Sequence, residues 1–78
     1  MGITPILKAK EVLQILLKLG FKIVSQQGSH IKLRHVIDKT RQVVLPKHNK
    51  DIKRGTLLSI LRQAKISLDE FLKLLGRK

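Results

Sequence analysis

Among the side chains able to move a proton near neutral pH, His30 has the most suggestive neighbours. It follows Gly28-Ser29 and opens the run His30-Ile31-Lys32-Leu33-Arg34. In an extended strand, alternation puts His30, Lys32 and Arg34 on one face and Ile31 and Leu33 on the other. An imidazole exchanges protons at physiological pH, and two flanking cations can hold an anionic substrate beside it. Alternation alone leaves two readings open, a proton-transfer group or an ordinary exposed strand residue. Ser29 and His30 do not form a nucleophile–base pair, because adjacent strand residues point to opposite faces. His35 falls on the Ile31/Leu33 side or at the strand end, and reads as structural or incidental. His48 lies in Pro46-Lys47-His48-Asn49-Lys50, a polar loop. It could touch phosphate, position a substrate, or simply be solvated.

Other chemistries find little support. There is no cysteine, which removes disulfides, thiolate metal sites and a cysteine nucleophile, and suits a reducing cytoplasm. The histidines and acids show no metal-ligand spacing, and no glycine-rich phosphate loop is present. No cofactor is expected. Gly55-Thr56 near a helix start offers backbone donors to an anion, but any helix start does so. No apolar run approaches the roughly 18 residues of a membrane span. Lys8, Lys10 and Glu11 interrupt the N-terminal stretch, which does not read as a signal peptide.

Charge narrows the partners. Seventeen Lys and Arg face five Asp and Glu, a net +12 on 78 residues. Such a surface serves solubility or attracts polyanions. The excess is concentrated: residues 21–54 carry nine basic and two acidic side chains, net +7, against +2 before them and +3 after. A phosphate-contact surface belongs in that middle third, with Lys22, Ser29, Lys32, Arg34, Lys47 and His48 as candidate contacts. The only aromatics of the Phe, Tyr and Trp class are Phe21 and Phe71, both in apolar patterns. Readout by base stacking is therefore disfavoured, and recognition of RNA backbone and shape remains.

The elements that position these residues follow from periodicity. Ala9, Val12, Leu13, Leu16 and Leu19 predict a helix over 9–19, stopped by Gly20. Its start is either Thr4-Pro5 or Lys8-Ala9. Residues 21–27 and 29–37 read as strands joined across Gln27-Gly28-Ser29. Asp38-Lys39-Thr40 is a second turn, and residues 41–45 form a third strand ended by Pro46. Short connections make an antiparallel meander. Leu57, Ile60, Leu61 and Ala64 mark a second helix starting within Asp51–Gly55. Ser67-Leu68-Asp69-Glu70 is a capping box with Ile66 and Phe71 as its staple. It opens a short third helix with a stripe of Leu68, Phe71, Leu72 and Leu75, closed by Gly76. The expected fold is α+β, a single domain over 1–78. It is an α-β-β-β-α sandwich like the double-stranded-RNA-binding domain, its three-stranded antiparallel sheet packed on helices, with a short extra C-terminal helix.

Taken in order, Gly20-Phe21, Gly28-Ser29-His30, Pro46-Lys47-His48 and Gly55-Thr56-Leu57…Ile60-Leu61-Arg62-Gln63-Ala64 resemble the HicA (YcfA-like) toxins of prokaryotic HicA–HicB toxin–antitoxin systems. The resemblance covers roughly residues 9–75. It excludes residues 1–8, and Leu33 stands near a place where the family often has an aromatic. It implies metal-independent cleavage of mRNA, with His30 at the place of the family's catalytic histidine, and a HicB antitoxin as partner. The alternatives are a non-catalytic RNA-binding module with the same basic face, and an interaction protein docking an acidic partner.

Overall fold

The computed structural model describes residues 7–46 and 51–76. A two-residue strand β1 (Leu7–Lys8) leads into helix α1 (Ala9–Lys18). The strands β2 (Phe21–Gln27), β3 (His30–His35) and β4 (Gln42–Pro46) follow. A second short strand β5 (Asp51–Ile52) precedes α2 (Arg54–Ala64) and α3 (Leu68–Leu75). The main sheet has the order β2-β3-β4 and both pairings are antiparallel, so β3 is its centre. The helices bury one face. The fold is the α+β sandwich expected from the periodicity, including the additional C-terminal helix.

Helix α1 begins at Ala9, which favours the Lys8-Ala9 start; Thr4 and Pro5 lie outside the described residues. The Glu11 carboxylate accepts from the Lys8 backbone N–H at 3.0 Å, satisfying a free donor at the helix start. The buried stripe is Ala9, Val12, Ile15 and Leu16. Leu13 and Leu19 pack against the core only in part, so Ile15 takes an inward place the sequence pattern had given to its neighbours. The stripe of α2, Leu57, Ile60, Leu61 and Ala64, is buried as expected. In α3 the Ser67 Oγ accepts from the Glu70 N–H at 3.1 Å, one half of the expected box, and Gly76 closes the helix at φ +80°. Phe71 is fully buried, with Leu68, Leu72 and Leu75 partly so.

The core joins these helices to Ile31, Leu33, Val43 and Leu45 from the sheet, and Phe21 is buried with them. Both phenylalanines thus serve packing. The pairing of β1 with β5, Leu7 opposite Ile52 and Lys8 opposite Asp51, has no counterpart in the sequence reading. Leu7 and Ile52 are buried, which is what holds the ladder. The Lys8–Asp51 ion pair at 3.2 Å is largely exposed, and such pairs contribute at most about 1 kcal/mol.

Candidate active site

The turn between β2 and β3 decides where His30 stands. Gln27 pairs directly with His30, leaving the two-residue loop Gly28-Ser29. Gly28 has φ +58°, whereas Ser29 is not left-handed. That is the φ pattern of a type II′ hairpin turn, which requires glycine at its first central position. His30 is therefore the first residue of the central strand. Alternation then carries Lys32 and Arg34 onto the same outer face. His30 and Lys32 are exposed and Arg34 is half-buried. The His30 imidazole makes no hydrogen bond or ion pair among the described residues, so both ring nitrogens are open to a substrate.

A bulge furnishes the rest of the face. The register of β2 against β3 slips between Ile23 and Ser25, leaving Val24 as the extra residue. Before the slip Lys22 lies opposite Arg34; after it Ser25 lies opposite Lys32 and Gln27 opposite His30. An unbroken alternation would have turned Ser25 and Gln27 to the core side. The bulge instead re-aims both, and they line an open depression with His30, Lys32 and Val44. Ser25, Gln27 and Val44 were not anticipated as site residues. The consecutive apolar pair Ile23-Val24 inside an otherwise alternating strand was the available signal. Ser29 is half-buried in the turn, beside the depression rather than in its lining. Lys47 and His48 lie outside the described residues.

The far wall is fixed by α2. Gln63 Oε1 accepts from the Val44 N–H at 3.1 Å and Gln63 Nε2 donates to Ser59 Oγ at 3.3 Å. Strand β4 is an edge, and this glutamine occupies one of its free donors.

At the other end of the face, the chain from Val36 to Arg41 is fastened by His35. Its Nε2 lies 3.1 Å from the Leu19 carbonyl oxygen. Its Nδ1 lies 3.2 Å from the Ile37 N–H and 3.0 Å from the Asp38 N–H. A carbonyl only accepts and an amide only donates, so the proton is on Nε2 and Nδ1 is bare. The ring also meets Phe21 edge to face at 5.1 Å. This histidine is structural, the first of the two readings the sequence left for it. Asp38 Oδ1 accepts from the Thr40 N–H at 3.1 Å and from the Thr40 hydroxyl at 2.6 Å. These bonds, helped by the positive charges of Lys65 and Arg41, hold the Asp38 carboxyl below its ordinary value. Arg41 Nε donates to the Ala64 carbonyl at 2.7 Å and its guanidinium lies over Phe21 at 5.4 Å. Lys65 Nζ donates to Thr40 Oγ1 at 3.1 Å. The turn is thus pinned to α1, the sheet and the C-terminal end of α2. The strand ends at His35 rather than at 37, leaving Val36 and Ile37 exposed.

Among the described residues the arrangement is an open basic sheet face with an imidazole free of hydrogen bonds, His30, at the turn end of its central strand. Among the described residues no group of His, Asp and Glu could hold a metal ion, and no helix is long and apolar enough to cross a membrane. Comparison with known families gives one finding. The family described as the HicA toxin of bacterial toxin–antitoxin matches residues 9–66. That span includes α1, the whole sheet and α2. Comparison with curated proteins gives no match.

Proposed function

The chain belongs to the HicA toxin family of bacterial toxin–antitoxin, and on that premise we propose that it is a metal-independent endoribonuclease that cleaves mRNA at His30 and thereby arrests growth. The observation that carries the reading is the register. A II′ turn and a bulge put an unpaired imidazole, Lys32, Ser25 and Gln27 around one open depression in a chain of net charge +12. The non-catalytic alternative explains the charge but gives no role to the open imidazole.

In this reading the RNA supplies its own nucleophile. The 2′-oxygen attacks phosphorus, the bond to the 5′-oxygen breaks, and the products are a 2′,3′-cyclic phosphate and a 5′-hydroxyl. Overall one proton passes from the 2′-hydroxyl to the 5′-oxygen. His30 handles one end of that transfer and water the other. Lys32, two residues along the strand and on the same face, is about 7 Å away by strand geometry, close enough for its long side chain to meet the charge that builds on the phosphoryl oxygens. Ser25 and Gln27 offer neutral donors to the same group. Proton transfer by one positioned group contributes about 10² to 10⁴-fold, so the enzyme is slow, and slow cutting suffices when the targets are messages.

Membership in the family brings an antitoxin as partner. We assign that role to an acidic HicB-like protein that covers the basic face, since opposite charge accelerates encounter and bulk excludes RNA. The function is tested with an RNA carrying a single 2′-deoxy nucleotide at the cleaved position. Cleavage that stops there, with cyclic-phosphate ends on the unmodified RNA, is the expected result. Continued cutting at the deoxy position would overturn the mechanism, and binding without any cleavage would leave the RNA-binding module.

A further inference from the structure

The outer face of the sheet has a second feature, at the end remote from His30. Lys22, Val24, Arg34, His35, Val36 and Lys39 line a distinct open pocket. Three of the six are cations, and they come from three different segments: β2, β3 and the turn before β4. Lys22 and Arg34 face each other across the ladder. Lys39 stands in the pinned turn, where its carbonyl accepts from Gln42 Nε2 at 3.3 Å. Its ammonium, like that of Lys22, has no hydrogen bond or ion pair among the described residues. The adjacent carboxylate, Asp38, turns its Oδ1 to the Thr40 N–H and hydroxyl.

Arg34 adds an independent observation. Its Nε is buried and has no hydrogen-bond partner, and a guanidinium donor shut away from water without an acceptor is unusual in a folded protein. The planar fork of arginine suits a two-oxygen anion, and Arg34, whose Nε finds no acceptor within the fold, lines this pocket. The bulge that turns Ser25 towards His30 also leaves Val24 in this pocket, beside Val36. The lining is therefore cationic with an apolar part, as a sugar-phosphate unit requires.

We propose that Lys22, Arg34 and Lys39 form a phosphodiester subsite that grips the RNA strand at a linkage flanking the one at His30. The inference rests on the ribonuclease reading for its choice of RNA. Its geometry favours that choice: Arg34 lies four residues along β3 from His30, about 13 Å away on the same face by strand rise, and one strand can span both pockets. A cutter with a single proton-transfer group gains most from holding its substrate at a second point, because position otherwise has to be found by diffusion. The pinning of the turn by His35, Asp38, Arg41 and Lys65 then has a consequence beyond stability, since it fixes Lys39 before RNA arrives.

The test is a scan with a 2′-O-methyl hexanucleotide, which cannot be cleaved by its own 2′-oxygen, carrying one neutral methylphosphonate linkage at each position in turn. Binding is measured for the wild-type chain, for Lys39→Gln, for the triple variant Lys22→Gln/Arg34→Gln/Lys39→Gln and for His30→Ala, with circular dichroism as the check on folding. For the wild type, one neutral linkage costs about tenfold in affinity, the worth of a charge-assisted hydrogen bond. In Lys39→Gln, and more fully in the triple variant, the same linkage costs little further, and it is not the linkage coupled to His30. The single variant keeps the test decisive if the triple one does not fold. Equal loss at every linkage would overturn the subsite in favour of a diffuse field. Unchanged RNA binding with weakened antitoxin binding would also overturn it, assigning the pocket to a partner's carboxylates. Because the scan reads binding alone, a chain that couples as described yet never cuts RNA contradicts the ribonuclease reading and leaves the subsite standing. A chain that cuts without coupling contradicts only the subsite.

Discussion

Replacing Gly20 with alanine tests how the helix, the sheet and the pinned turn meet at one point. Gly20 has φ +99°, and a β-carbon there would lie 3.0 Å from His35 Nε2. Two costs follow. Holding an alanine at positive φ costs about 1–2 kcal/mol. Pushing the imidazole aside weakens its bond to Leu19 and its two bonds from the turn, worth about 1 kcal/mol net because they are only partly buried. The sum of about 2–3 kcal/mol lowers the melting temperature by roughly 10–20 °C in a domain of this size. His35→Ala alone forfeits the edge-to-face contact with Phe21 and the same bonds, about 2 kcal/mol together. The two losses overlap, so the double variant is less damaged than their sum, by about 1 kcal/mol. Urea unfolding of the four proteins at neutral pH measures this coupling. Additivity within about 0.5 kcal/mol, the scatter expected of independent sites, would refute the claim that the glycine is required by the ring.

Three further outcomes are expected. Ser67→Ala removes the cap of α3 and costs about 1 kcal/mol, read from urea unfolding, with Ser67→Thr close to wild type. Asp38 stabilises the turn as a carboxylate, and its folded value is lowered. Its contribution is therefore complete above the ordinary carboxylate range and is lost as pH falls through the lowered value. Protection of the Thr40 amide, measured against its intrinsic exchange rate, falls below about pH 4, and Asp38→Asn removes that acid dependence. RNA affinity falls steeply with salt, and Lys32→Gln reduces the log–log slope by about 0.7, the share of one phosphate contact to a single strand.

What the sequence disclosed was local in origin. The clean alternation of residues 30–34 and the glycine of the turn were enough to place His30 beside two cations. The apolar spacing of the helices, with Ser67 and Gly76 as punctuation, was enough to order the elements. What escaped depends on pairing at a distance. The Leu7–Ile52 ladder joins short segments on either side of the main sheet, with no local pattern to mark it. The bulge at Val24 exists only against the register of β3, and it decides that Ser25 and Gln27 line the depression with His30. The sequence leaves His35 between a structural and an incidental reading because its partners, Leu19, Phe21 and the turn amides, come together only when the sheet folds onto α1. Membership of the toxin family agrees with the ordered motifs, whereas the chemistry at His30 rests on position and charge.

The most direct measurement is single-turnover cleavage of RNA by the wild type and His30→Ala in the presence of a metal chelator. Circular dichroism and thermal unfolding should match, because His30 is exposed and packs against nothing in the core. The wild type is expected to cut at an undiminished rate with the metal removed, and the variant to cut at least about 10²-fold more slowly, the usual worth of a positioned proton-transfer group. A folded His30→Ala protein that cuts as fast as the wild type would contradict the assignment.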